Sequence, residues 1–206
     1  MKLIMGDKNL STWSWRAWLA LHSFQIPFEE VVIALDRPDT TKNILKYSPS
    51  KRVPCLIDND FVVWDSLAIL EYLSDKYREK KMWPSDLKAR ARARNVVAEM
   101  HSGFAELRKL LPGNIKKRLN DFDYSSVRED VARIQQLWTE CRAAYGTDGP
   151  YLFGAWSLAD CYYAPVVFRF QTYGVKLDGV ALEYSKTMLA HPSMLELERQ
   201  ALAEKI

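Results

Sequence analysis

Every stretch of this chain that reads as a β-strand ends by Trp64, and everything after it reads as helix or turn. That division limits the possible folds more than any single motif does. Residues 2–5 form a short apolar strand, followed by the polar turn Gly6-Asp7-Lys8-Asn9. Residues 11–21 then carry a wide apolar stripe of Trp15, Trp18, Leu19 and Leu21 at helical spacing, with Ser11 or Thr12 as its cap. Residues 28–35 are a β-branched strand. A strand, a helix and a strand in that order imply a right-handed crossover and a parallel pair. A weak helix through Ile44, Leu45 and Tyr47 is stopped by Ser48-Pro49-Ser50. Residues 53–57 and 61–64 flank Asp58-Asn59-Asp60 as a hairpin. Asp65-Ser66 opens a helix with Ile69, Leu70, Leu73 and Tyr77 at helical spacing. The order βαβαββα makes residues 1–80 one α/β domain.

Trp83-Pro84-Ser85-Asp86 reads as a linker ending in a cap. Beyond it helices are expected over 87–111, about 126–145, roughly 157–173, and as a shorter pair near 180–190 and 193–204. Residues 86–206 are therefore expected to form an all-helical domain, and 206 residues suit two small domains sharing an interface.

Composition excludes several function classes. The chain is 48% hydrophobic, enough for a real core, and its net charge of +3 is spread along the sequence. No basic face suits nucleic acid, and no apolar run approaches the ~18 residues that would span a membrane. The opening residues are too short an apolar run for a signal peptide. Cys55, Cys141 and Cys161 form no CxxC, metal or disulfide pattern, and the histidines at 22, 101 and 191 are scattered. No metal is expected, and a reducing cytoplasm is the simplest location.

Two segments point to chemistry. In Ser50-Lys51-Arg52-Val53-Pro54-Cys55-Leu56, a proline at the start of a strand cannot donate to the ladder. It is either an ordinary turn proline or a cis proline. A cis bond would turn the amide and carbonyl of Val53 outward, where a peptide-like ligand binds as an extra strand. Asp65-Ser66 is either a plain helix cap or a site for an α-amino-acid end. In the second case the helix amides take the carboxylate and Asp65 takes the ammonium.

These segments, in this order after a βαβ start, resemble the glutathione transferase superfamily and are closest to its zeta-like branch. The likeness rests on Ser11 to Arg16, Lys51 to Leu56 and Ser66 to Leu73. In the helical half it rests on Ser157-Leu158-Ala159-Asp160, which resembles the superfamily's buried capping box. The resemblance implies a thioredoxin-like first domain, a homodimer, and glutathione as substrate or coenzyme. Val53 would pair with the cysteinyl part beside Pro54, Asp65 and Ser66 would meet the γ-glutamyl end, and Lys51 would reach toward a carboxylate. Ser11 matches the zeta-like catalytic hydroxyl, with Thr12 able to share the sulfur contact. The implied reaction is attack of a glutathione thiolate on a small electrophile. The rivals are a zeta-like cis–trans isomerase acting on maleylacetoacetate, and a non-catalytic binding or scaffold protein. One departure stands out: Thr12-Trp13 occupy places where the zeta-like pattern has Ser-Cys. Trp13 would reshape the mouth of the site, and the missing cysteine argues against mixed-disulfide chemistry.

Other residues carry weaker signals. Cys55 is expected to turn into the core. His101, Phe104 and Arg108 are candidates for lining a second-substrate pocket, as are Arg169 and Tyr173.

Overall fold

The computed structural model describes residues 1–205. Its first half is a four-stranded mixed sheet with helices, and its second half is helical. Strand β1 (Lys2–Gly6) leads into helix α1 (Thr12–Ser23) and strand β2 (Glu29–Ile33). Helix α2 (Thr40–Ile44), the hairpin β3 (Cys55–Asp58) and β4 (Phe61–Val63), and helix α3 (Ser66–Lys76) complete the half. The sheet order is β2-β1-β3-β4, with β1 parallel to β2 and antiparallel to β3.

Alternation along β1 divides the packing between the two sheet faces. Leu3 and Met5 join the main core, while Ile4 joins Ile33, Ile44 and Cys55 in a small cluster on the other face. Both faces are covered, so β1 is apolar almost throughout. Each large side chain buried this way contributes about 1.5–3 kcal/mol.

Helix α1 is buried from Thr12 to Leu21 apart from Trp13, because it lies between the sheet and the helical half. Trp15 meets Phe168 edge-on at 5.6 Å across that junction.

The second half comprises α4 (Leu87–Ser102), α5 (Ala105–Leu110), α6 (Arg128–Tyr145), α7 (Leu158–Thr172), α8 (Gly179–Leu189) and α9 (Pro192–Ala203). The single helix expected over 87–111 is in fact two. Gly103 is extended (φ −91, ψ −170) and Phe104 is left-handed (φ 57), which breaks the run and re-aims α5. A side chain at Gly103 would lie 2.8 Å from the Glu99 carbonyl oxygen, so the break needs glycine. Helix α7 is the buried centre of this half. Ser157 and Asp160 close a capping box at its start. The Asp160 carboxylate accepts from the Ser157 amide and hydroxyl, the Leu152 amide and the Tyr184 hydroxyl. Among the described residues no helix is long and apolar enough to cross a membrane.

Candidate active site

A cavity of about 510 Å³ opens between the start of α1, the loop before β3 and the start of α3, and His101 of α4 also lines it. All seven residues singled out by sequence line it: Ser11, Thr12, Lys51, Val53, Pro54, Asp65 and Ser66.

The first segment arrives by a tight reversal from β1 into α1. A Cβ on Gly6 would sit 2.7 Å from both Cβ and Oγ of Ser11, so glycine is what lets strand end and helix start come so close. The turn between them is pinned from a distance. The carboxylate of Glu204 accepts from the backbone N–H of Lys8 at 2.9 Å and of Asn9 at 3.1 Å. The Ile115 amide donates to the Asn9 carbonyl at 3.2 Å.

Ser11 occupies the N-cap position of α1, yet its side chain caps no amide. Its hydroxyl donates instead to Ser14 Oγ at 2.8 Å, which also accepts from the Gly6 amide at 3.1 Å. The backbone N–H groups of Trp13 and Ser14 have no partner among the described residues. They are the free donors that the start of a helix supplies. The Thr12 hydroxyl accepts from Nη2 of Arg169 at 3.2 Å, and no acceptor for its own proton is found among the described residues.

Beneath these residues lies buried positive charge. The Arg16 guanidinium carbon sits 4.2 Å from the ring centroids of both Trp13 and Tyr162. Its Nε donates to the Tyr162 carbonyl at 3.1 Å, and its two terminal nitrogens have no hydrogen-bond partner among the described residues. Burial pushes the Arg16 pKa down to about 10, with Tyr162 opposing the fall and Arg108 adding to it. Burial, with repulsion from Arg16 and Arg108, pushes Arg169 down to about 9. Both remain charged at neutral pH. The arginine–carboxylate pairs among the described residues lie elsewhere, at Arg94–Glu71, Arg118–Glu198, Arg133–Glu99 and Arg199–Glu196.

The second segment brings in Val53. The Val53–Pro54 peptide is cis. The β3 ladder begins one residue later, with Cys55 opposite Ile4. Neither the N–H nor the C=O of Val53 is hydrogen-bonded among the described residues. Cys55 is fully buried on the other side, as expected, and burial pushes its thiol pKa up.

The third segment is the start of α3, where the Trp64–Asp65 peptide is also cis. Asp65 Oδ1 accepts from the amides of Leu67 at 3.0 Å and Ala68 at 3.3 Å, so this oxygen is a true cap. The other oxygen lies 3.2 Å from Nε2 of His101. Ser66 is buried, with its hydroxyl 3.4 Å from that of Tyr162.

Among the weaker candidates, His101 lines the cavity. Arg108 is turned onto the carbonyls of Met100 and Gly103. Arg169 and Tyr173 are buried rather than cleft-facing. Arg169 also donates to the Leu111 carbonyl at 2.8 Å, and the Tyr173 hydroxyl donates to the Pro112 carbonyl at 3.0 Å. Sequence reasoning missed Tyr162 and Glu204, which meet the site only through tertiary contacts. Arg16 was visible as part of Ser-Trp-Arg, but nothing in that motif tells of two unpaired nitrogens.

Residues 10–76 match the family model described as glutathione S-transferase, N-terminal domain, and residues 89–188 match that described as glutathione S-transferase, C-terminal domain. Glutathione S-transferase 1 of Dianthus caryophyllus is 37% identical over 100 residues, a stretch covering 47% of this chain and 45% of that protein. The chain thus spans less than half the length of that relative. Among solved structures, a glutathione transferase homolog from Burkholderia with bound glutathione superposes with a TM-score of 0.73 at 22% identity, covering 98% of each chain. A bacterial zeta-class maleyl pyruvate isomerase superposes with a TM-score of 0.74 at 22% identity, covering 96% of each. At that identity the superpositions speak for the fold.

Proposed function

The chain belongs to the glutathione S-transferase family, and from that premise we propose that it presents glutathione as a thiolate to a small electrophile. The observation that carries this reading is the convergence of three segments on one cavity, with the Val53 backbone left unpaired at its edge. In this reading residues 1–80 supply the glutathione subsite and residues 86–206 shape the second pocket. The Val53 amide and carbonyl pair with the cysteinyl unit as an added strand does. Asp65 takes the γ-glutamyl ammonium, Ser66 and the α3 amides take its carboxylate, and Lys51 meets a carboxylate from the rim.

A free thiol has a pKa near ~8.5, so only a few per cent is ionised at neutral pH. Each unit of lowering stabilises the anion by ~1.4 kcal/mol. Three features of the α1 start favour the anion: the unpaired amides of Trp13 and Ser14, the hydroxyls of Ser11 and Thr12, and the charged guanidinium groups beneath. The Thr12 proton is already free, and Ser11 donates once its hydroxyl turns from Ser14. Neither is a nucleophile; each stabilises charge on sulfur. Holding both reactants supplies the rest of the acceleration.

The test is calorimetric titration with glutathione, followed by thiol consumption with a panel of electrophiles such as 1-chloro-2,4-dinitrobenzene. Binding with turnover is expected. Binding with neither consumption nor isomerisation across the panel would favour a non-catalytic scaffold.

A glutathione-dependent cis–trans isomerase is the second reading. It is supported by the fold likeness to the zeta-class maleyl pyruvate isomerase. Rapid isomerisation of maleylacetoacetate would put it first. A cytoplasmic homodimer completes the proposal. The three cysteines are free and buried, and Phe61 on the edge strand β4 is exposed.

A further inference from the structure

His101 has no part in the scheme above, although it lines the same cavity. It stands near the end of α4, in the helical half, and reaches across to α3. Its Nε2 lies 3.2 Å from Asp65 Oδ2, while Asp65 Oδ1 is occupied in capping α3. Its Nδ1 meets the Tyr162 hydroxyl, which in turn lies 3.4 Å from Ser66 Oγ. Tyr162 belongs to α7 and is fully buried, with Arg16 over its ring and on its carbonyl. Trp13 stands edge-on to the imidazole, 5.5 Å between centroids.

The chemistry of these groups fixes the direction of the chain of hydrogen bonds. An ionised Asp65 only accepts, so the nitrogen facing it carries the proton. In a neutral imidazole the other nitrogen is then the acceptor, and Tyr162 donates to it. The Tyr162 oxygen is left to accept from the Ser66 hydroxyl, so Ser66 meets the γ-glutamyl carboxylate through its backbone N–H. The relay runs Ser66 to Tyr162 to His101 to Asp65. It begins and ends on the two residues assigned to the γ-glutamyl end.

We propose that His101 is a positioning residue of the glutathione subsite: it holds the free oxygen of Asp65 toward the ammonium group, and Tyr162 fixes the imidazole tautomer that allows it. The inference rests on the reading that Asp65 and Ser66 hold the γ-glutamyl end. It departs from a division of labour in which the helical half serves only the second substrate. Without the imidazole, Asp65 keeps its cap through Oδ1, but Oδ2 has no partner and turns to solvent, since the side chain is 51% exposed.

The experiment is calorimetric titration of glutathione into the full-length chain and its variants, with kcat and KM measured alongside. His101→Ala is expected to weaken glutathione binding about tenfold and to raise its KM while kcat at saturation holds within about twofold. His101→Gln, whose amide N–H can reach Asp65, is expected to restore most of the affinity, and Tyr162→Phe to fall between. In an Asp65→Asn background His101→Ala is expected to cost no more than about twofold, because its target is gone. Unchanged affinity in His101→Ala overturns the proposal. So does a loss undiminished in the Asp65→Asn background, or a His101→Gln variant as weak as His101→Ala. If the wild-type chain itself fails to bind glutathione, the underlying reading of the cavity falls first.

Discussion

Arg169 and Thr12 lie 157 residues apart in sequence, and a guanidinium nitrogen of one meets the hydroxyl oxygen of the other at 3.2 Å. A hydroxyl that accepts from a cation is itself a stronger donor, because the bonds polarise one another. Thr12→Val and Ser11→Ala are each expected to raise the pKa of bound glutathione thiol by about one unit and slow turnover about tenfold at neutral pH. The double variant is expected to lose about a hundredfold if the two act independently. Thiolate absorbance of the complex against pH gives the first quantity. If it is unmoved in both single variants, neither hydroxyl serves the sulfur.

The contact assigned to Val53 runs through its backbone, which has no hydrogen-bond partner among the described residues. Val53→Ala is therefore expected to change glutathione affinity by less than about twofold. Lys51→Ala removes a charge and is expected to weaken binding about three- to tenfold, with a loss that shrinks as salt rises. Titrations at low and high ionic strength distinguish the two. A salt-independent loss for Lys51→Ala would mean that it acts by shaping the loop.

Glu204 accepts two backbone amides on the turn before Ser11. Bonds to a charged acceptor contribute about 1.5–3 kcal/mol each, less where solvent reaches them. Glu204→Ala is expected to lower the unfolding free energy by about 2 kcal/mol, and Glu204→Gln by roughly half of that. Urea denaturation measures both, and a change below about 0.5 kcal/mol in Glu204→Ala would show that the turn holds without it.

His191 and Asp160 set opposite pH dependences. Burial, helped by His22, pushes the His191 pKa down from 6.5 to about 4. As pH falls through 6.5 the unfolded chain takes a proton that the folded one refuses until about 4, so stability is lost across that window. Burial pushes Asp160 up from 3.8 to about 6, against four hydrogen bonds that favour its ionised form. Stability from this group is greatest below about 3.8 and declines as pH rises to about 6. His191→Asn keeps an acceptor for the Ser193 amide that His191 caps, so it removes the first effect and leaves the second. Between pH 6.5 and 4 the wild type is expected to lose stability steadily relative to this variant. Parallel urea midpoints across that range would refute the assignment.

The sequence made much of the local structure readable, for local reasons. The strands of the first half, its Asp-and-Asn hairpin turn and the opening of α3 are encoded by residues a few positions apart, and all seven candidate site residues sit in such segments. Gly103 was the local signal that could have divided the helix expected over 87–111, but the flanking apolar periodicity masked it. The rest was out of reach because it depends on distant partners. Ser11 reads as a cap, yet Ser14 draws its hydroxyl away. Arg169 reads as a cleft residue, yet α7 carries it inward to Thr12. Nothing near Tyr162 in the sequence foretells that its hydroxyl sits between His101 and Ser66.

The hold that Glu204 has on Lys8 and Asn9 ties the C-terminal end of α9 to the opening turn of the sheet-bearing half. A ribosome that has released only the sheet-bearing half has produced a chain whose opening turn still lacks two of its backbone partners. The shape of that turn is therefore a joint property of both halves, and a fragment ending before α9 is expected to hold it loosely.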